Sequence, residues 1–348
     1  MTRSPLTALL LSDGKPGHYH QAEGVIAAIA RLRPVDIVRR EVRRRFLVPT
    51  RTLQQLVNAG VSPATILRLG YGVRAGALPA AQVVVSAGGE TLAANAAAAK
   101  LLGAANIFCG RLRKLAPAHI GLVIVNTNLP ASPPNQLVSL PPSPIDMPRP
   151  ASAKGEPPFG RSNPPRLVGV LIGGNSGSFR YSNAEWTRLA GFLRDAHASH
   201  GISWVATTSR RSSGFVADAL ADLALEPGSG LVKFIDFRTA APGTVTEIFA
   251  QAQAILCTDD SNAMISEAVG ACLPVVAVRP QACALEPREA EFRDDLAQEG
   301  WYRALPLAKL TPDTFLQSLE EISPRTTSQL DELAEALRQR LPELFADA

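Results

Sequence analysis

The sequence predicts two Rossmann-like α/β domains in series, and three observations carry that expectation. The chain has 348 residues, more than a single hydrophobic core usually spans. Short, continuously apolar segments alternate with segments of helical periodicity on either side of residues 126–165. That is the pattern of parallel strands covered on both faces by helices. Within those 40 residues, 12 are proline. Each lacks a backbone donor and fixes φ, so neither a helix nor a central strand runs through the stretch.

In the first half, apolar runs at 6–11, 36–38, 82–86, 106–109 and 122–125 read as buried strands. Val25, Ile26, Ile29 and Leu32 recur at helical spacing between the first two. After the proline-rich stretch the alternation restarts, with strands at 167–172, 203–207, 231–235, 254–257 and 274–278 and helices at 183–199, 215–225, 245–250 and 262–271. Leu330, Leu333, Leu337 and Leu341 give a terminal helix an apolar stripe that must pack on something, back across the domain junction in one arrangement. The expected division is 1–150, a proline-rich linker at 151–165, a second domain at 166–323, and the terminal helix within 324–348.

Composition narrows the class. At 46% hydrophobic, 19% charged and 5% aromatic, the chain is too apolar and too mixed to be disordered or collagen-like. No apolar run approaches the roughly 20 residues of a membrane span. The run at 6–11 is too short for the core of a signal peptide and breaks off at Ser12-Asp13-Gly14 like a strand meeting a loop. Cys109, Cys257, Cys272 and Cys283 show no CxxC spacing and sit in apolar runs, so reduced core thiols of a cytoplasmic protein are expected, with no zinc site. The net charge of +4 divides unevenly: residues 1–150 hold 17 Lys and Arg against 6 Asp and Glu, and residues 151–348 hold 18 against 25. Two domains of +11 and −7 have different electrostatic work to do.

Ligands of open α/β sheets lie beyond the carboxyl ends of the strands, so the loops there are the informative places. The first runs from Asp13 and Gly14 through Gly17 and His18 to Gln21. A glycine-bracketed turn leads into a helix start that favours anions, and a histidine there is placed for general-base work; a capping turn with solvated His18 and His20 is the alternative. A second loop, Gly173-Gly174-Asn175-Ser176-Gly177-Ser178, lets backbone approach a ligand and offers amides and hydroxyls to phosphate. It has neither the Lys-Ser/Thr ending of a P-loop nor GxGxxG. Ser209, Arg210 and Arg211 follow the next strand and suit a diphosphate through charge-assisted bonds, or form a solvated surface pair. In the fourth loop, Asp260 and Ser261 open a helix that carries Glu267 in its second turn, where a carboxylate can accept ribose hydroxyls. Helix capping explains the same residues, and Asp259 with Asp260 lacks a third metal ligand nearby in sequence. Gly88 and Gly89 end a strand of the first half, as a simple turn or as part of the acceptor side. His119, His197 and His200 are scattered, without metal-ligand spacing.

The ordered motifs Asp13-Gly14-x-x-Gly17-x-x-x-Gln21-x-x-Gly24, Ile172-Gly173-Gly174, Thr208-Ser209-Arg210-Arg211 and Thr258-Asp259-Asp260-Ser261-x-x-Met264-x-Ser266-Glu267-Ala268 resemble the family of the plant mitochondrial-fission (elongated mitochondria) protein. Its bacterial members are described as glycosyltransferase-like or nucleoside-diphosphate-sugar-epimerase-like. A more distant likeness is to the enzyme that adds N-acetylglucosamine to the lipid-linked peptidoglycan precursor. The resemblance spans nearly the whole chain outside the proline-rich stretch. It implies a GT-B fold, two Rossmann-like domains facing each other across a cleft, the first on the acceptor side and the second binding a nucleotide-sugar. Gly173, Gly174, Asn175 and Ser176 would face the donor diphosphate, Arg210 would neutralise it, Ser261 would approach it and Glu267 would hold the ribose. The implied reaction is metal-independent and inverting, with no cofactor beyond the nucleotide-sugar substrate and with an envelope glycan or lipid-linked acceptor. Here the loop reads Gly-Gly-Asn-Ser-Gly-Ser where the peptidoglycan enzyme has Gly-Gly-Ser-x-Gly-Ala, and the base is left open between His18 and Asp13.

Eight arginines (31, 33, 39, 40, 43, 44, 45 and 51) lie between residues 31 and 51, interleaved with Val38, Val42, Phe46, Leu47 and Val48. No nucleic-acid module accompanies them, so a nucleic-acid partner is not expected. An apolar and basic surface suits an anionic membrane, which makes peripheral association with the inner membrane one expectation and a solvated, ion-paired face the other. Three functional alternatives to the transferase stand: an epimerase on the same fold, a dehydrogenase, which the missing GxGxxG opposes, and a non-enzymatic fission-type scaffold.

Overall fold

Runs of Leu, Val, Ile and Ala with almost no polar interruption form the middles of two parallel six-stranded sheets. The computed structural model describes residues 4–127, 133–147, 157–241 and 243–346. The chain divides into two units, residues 1–146 with 329–348, and residues 147–328. Residues 151–156 of the expected linker lie outside the described residues.

The first unit runs β1 (Leu6–Ser12), α1 (Pro16–Ala30), β2 (Val35–Glu41), α2 (Thr50–Asn58), α3 (Pro63–Tyr71), β3 (Val83–Ala87), α4 (Leu92–Leu102), β4 (Ala105–Cys109), β5 (Leu122–Val125) and β6 (Gln136–Val138). Its strand order is β2-β1-β3-β4-β5-β6. β3 is buried throughout, whereas β2, with its Arg39 and Arg40, is an edge strand and largely exposed. Prolines confine the other edge: β6 is three residues long, bracketed by Pro133, Pro134, Pro141 and Pro142. Alternate residues of the strands feed cores on both faces of the sheet, Leu9 and Leu11 on one side and Ala8 and Leu10 on the other. In α4 the buried run of alanines from Ala96 to Ala99 presents small side chains to its neighbours.

The second unit runs β7 (Leu167–Leu171), α5 (Asn183–His200), β8 (Ser203–Thr207), α6 (Gly214–Leu225), β9 (Leu231–Ile235), α7 (Thr244–Gln251), β10 (Ala254–Thr258), α8 (Asn262–Gly270), β11 (Val275–Arg279), α9 (Pro287–Gln298), β12 (Tyr302–Pro306) and α10 (Pro312–Glu320). Its order is β12-β11-β10-β7-β8-β9. A capping box at Ser182 and Glu185 starts α5, and Gly201 in the left-handed region ends it. The polar edge strand β12 carries no unbroken apolar run, which is why sequence patterning passes over it.

The chain then returns to the first unit. α11 (Gln329–Arg340) lays Leu330, Leu333, Ala334 and Leu337 into the core beneath α1. The middle of the proline-rich stretch lies against the same helix pair. A Cβ on Gly24 would sit 2.4 Å from the Ser143 amide nitrogen, and Gln329 Nε2 donates to the Leu140 and Pro141 carbonyls at 3.1 and 3.0 Å. No disulfide joins any of the four cysteines, and burial pushes the Cys109 thiol up to about 12. Among the described residues no helix is long and apolar enough to cross a membrane.

Candidate functional site

Both strand orders reverse direction once near the middle of the sheet. In the first unit β1 is followed by β2 on one side and β3 on the other; in the second, β8 and β9 lie to one side of β7 and β10 to the other. The carboxyl ends of β1 with β3, and of β7 with β10, therefore flank the crevices where α/β sheets hold ligands. The loops singled out by sequence stand at these two places.

At the first, Asp13 is the residue after β1 and His18 is the third residue of α1. Their side chains meet, with His18 Nδ1 2.8 Å from Asp13 Oδ2. The Asp13 side chain is 1% exposed and that of His18 34%. A carboxylate can only accept here, so Nδ1–H donates to Asp13, and it is in the neutral form of the ring that Nε2 is an acceptor. The two candidates for the base thus form one pair, the carboxylate orienting the imidazole. Lys15, absent from the sequence-based candidates, reaches both Asp13 and Glu90 at 3.5 Å. Its signal was its place inside the Asp-Gly-Lys turn.

Gly88 explains why the loop after β3 carries glycine. It has φ +85°, and a Cβ there would lie 2.2 Å from His18 Nδ1. A side chain would displace the imidazole. Gly14 is also in the left-handed region, whereas Gly17 has open space around it and Gln21 is half-buried on α1. Gly89 lies beside the Arg113 guanidinium.

At the second crevice the loops are tied together by their own polar groups. Gly173 N–H donates to Thr258 Oγ1 at 2.6 Å, and Gly174 N–H to Asp260 Oδ1 at 3.2 Å. Ser209 and Ser212 hydroxyls donate to the Gly173 carbonyl at 3.1 and 2.6 Å. Arg211 turns inward and gives Asp260 Oδ2 two bonds, from Nε at 3.1 Å and Nη2 at 2.7 Å. The space is too small for side chains: a Cβ on Gly173 would meet the Asp260 carboxylate at 2.3 Å, and one on Gly174 the Arg211 carbonyl at 2.1 Å.

What this knot leaves outward is specific. Arg210 is exposed, without a carboxylate partner among the described residues. Asn175 is exposed but its Oδ1 already accepts the Tyr181 N–H at 2.8 Å. Ser176 is half-exposed, and the buried Ser178 Oγ has no hydrogen-bond partner among the described residues. Ser261 caps α8 by accepting the Met264 N–H at 3.4 Å, so the amides of Asn262 and Ala263 stay without intrahelical acceptors. Glu267 lies in the next turn, half-buried. Free amides, a hydroxyl and one free guanidinium are a set of donors for an anion.

Asp259, beside Asp260, belongs to the scaffold. Its buried carboxylate accepts from Arg279 Nε at 2.7 Å, Arg293 Nε at 2.8 Å and Tyr302 OH at 2.6 Å. It ties the end of β10 to β11, α9 and β12. Burial, reinforced by Asp259, pushes the Tyr302 hydroxyl well above its ordinary value. Sequence reading missed this cluster because its members are spread from residue 259 to residue 302. Among the described residues no group of three or more His, Cys, Asp and Glu gathers as metal ligands.

Solved structures show the same fold at low identity. UDP-GlcNAc 2-epimerase from Methanocaldococcus jannaschii is 9% identical over 98% of this chain and 100% of its own, with a TM-score of 0.57. The glycosyltransferase SnogD from Streptomyces nogalater is 14% identical over 98% and 96%, with a TM-score of 0.50. MurG from Acinetobacter baumannii is 12% identical over 96% and 100%, with a TM-score of 0.46. A comparison with curated proteins finds no match. The two Rossmann-like units are those of the GT-B fold. The family profile described as mitochondrial fission ELM1 matches residues 16–341, and this chain belongs to that family.

Proposed function

We propose that this protein is a metal-independent glycosyltransferase that moves a sugar from a nucleotide-sugar to a hydroxyl of a cell-envelope acceptor, lipid-linked or lipopolysaccharide-type. The observation that supports it most is the Asp13–His18 pair, a buried carboxylate holding an imidazole whose second nitrogen has no partner among the described residues. In this reading His18 Nε2 takes the acceptor hydroxyl's proton as the oxygen attacks the anomeric carbon. The bond from that carbon to the diphosphate oxygen breaks, its electron pair leaves with the nucleotide, and the configuration inverts. Asp13 stabilises the imidazolium that forms. The charge on the departing diphosphate falls to the amides that open α8 and to Arg210, since the Gly173 and Gly174 N–H groups are already held by Thr258 and Asp260. Glu267 accepts the ribose hydroxyls.

A thermal-shift screen with UDP, GDP, ADP, CMP and their sugars tests the donor site, followed by product analysis of the stabilising sugar nucleotide with and without acceptor lipid. Stabilisation with acceptor-dependent sugar transfer is expected. Sugar epimerised in the absence of acceptor identifies the epimerase instead. Silence towards every nucleotide removes both enzymes and leaves the non-enzymatic scaffold that the family's name suggests.

A further inference from the structure

Residues 43–48 carry a surface that the proposed reaction does not use. Phe46 and Leu47 are 91% and 88% exposed, more than any other large apolar side chain among the described residues. They are held there by a pinned loop. Arg44 Nη1 donates to the carbonyls of Arg45, Phe46 and Val48 at 3.2, 3.4 and 2.8 Å, and Arg45 N–H donates to the Gly70 carbonyl at 2.8 Å. The loop keeps the two side chains turned to solvent. Beside them opens a cavity of about 720 Å³ lined by Val48, Leu53, Leu56, Val61, Ile66 and Leu69.

The rim is basic. Arg40, Arg45 and Arg51 have no carboxylate partner among the described residues, and Arg43 pairs only with Glu41, two residues away. Other arginines of the cluster do structural work: Arg31 pairs with Asp146 and Asp331, Arg39 with Glu23, and Arg33 reaches the Ser4 and Leu344 carbonyls. Within this arginine cluster the unpaired charge is thus on Arg40, Arg45 and Arg51, and Arg45 lines the cavity itself. A second copy would bring the same positive rim, and residues 1–150 carry +11. A single-stranded nucleic acid would need a row of exposed rings, and Phe46 is the one aromatic ring in the loop. An anionic bilayer offers what both lack, headgroup charge over an apolar interior.

We infer that this face docks on an anionic membrane surface, Phe46 and Leu47 entering the acyl region while Arg40, Arg45 and Arg51 meet the headgroups. The inference stands apart from the transferase reading, since neither the dyad nor the diphosphate donors take part.

Co-sedimentation of the full chain with phosphatidylglycerol–phosphatidylcholine vesicles, against phosphatidylcholine alone, tests it. Wild type is expected to partition onto the anionic vesicles only, and less as salt rises. Phe46→Ser with Leu47→Ser is expected to lower partition on the order of a hundredfold. Each of Arg40→Ser, Arg45→Ser and Arg51→Ser is expected to lower it roughly fivefold. Arg44 is left in place because it pins the loop. A Phe46→Trp variant adds a direct readout: its emission, taken as the difference from wild type, is expected to shift to the blue and be quenched by brominated lipid. Equal partition of wild type and the double serine variant overturns the inference, as does an unquenched difference emission from the vesicle-bound Phe46→Trp variant. Concentration-dependent dimers that the double serine variant abolishes, without vesicle binding, would make a second copy the occupant.

Discussion

The two switch points treat charge in opposite ways. At the end of β1, Asp13 and His18 face each other across 2.8 Å, and the other ring nitrogen has no partner among the described residues. At the end of β10, Asp259 and Asp260 are enclosed by Arg279, Arg293 and Arg211, so the charges there are answered within the fold. In the proposed reaction the first arrangement supplies the proton acceptor; the second is a frame whose outward groups are mostly backbone amides. Adjacent charged residues in a loop therefore mean different things, and only their partners tell the cases apart.

The largest expected effect breaks the frame. Asp259→Ala leaves Arg293 buried without its counter-charge, and we expect about 3–5 kcal/mol lower stability by denaturant unfolding. An unchanged midpoint would dissolve the contrast between the two loops. Next, His18→Ala is expected to lower turnover by about 10²–10⁴-fold with nucleotide affinity kept, and Asp13→Asn to follow it because the ring loses its orienting partner. If His18→Ala instead abolishes nucleotide binding in a thermal-shift titration, the first loop is no proton acceptor.

Two smaller effects sharpen the comparison. Gly88→Ala, placing a methyl against the imidazole at positive φ, is expected to cost about 1–3 kcal/mol and to lower turnover, while Gly17→Ala stays within about 1 kcal/mol of wild type. Unfolding curves and rates on the pair check this. Last, Arg210→Ala is expected to weaken nucleotide-diphosphate binding about tenfold with an unchanged melting temperature. Arg211→Ala is expected to lower the melting temperature too, since the buried Asp260 would lose its counter-charge. Equal behaviour of the two arginines would return both to the ligand.

Much of this fold was legible because parallel strands buried on both faces write themselves as apolar runs, as 82–86 and 254–257 do. The loops were legible for a related reason, since glycine, histidine and arginine stand out after such runs. Partnership was not. Whether Arg210 or Arg211 faces outward depends on Asp260, 49 residues after Arg211, and the meeting of Gly88 with His18 depends on β3 pairing beside β1. Strand order is a property of the assembled sheet, so the switch points emerge only with it. The edge strands β2 and β12 escaped full recognition because most of β2 is exposed and β12 sets Arg303 and Pro306 among only five residues, so neither shows an unbroken apolar run.

The return of α11 to the first unit bears on the order in which the protein is made. Residues 147–328 are contiguous and can close their core as soon as they leave the ribosome. The first unit, begun earlier, keeps the apolar face of α1 uncovered until Leu330, Leu333 and Leu337 have been synthesised. The usual sequence in which amino-terminal domains mature first during synthesis is thereby inverted, and the earlier half of the chain completes its core last.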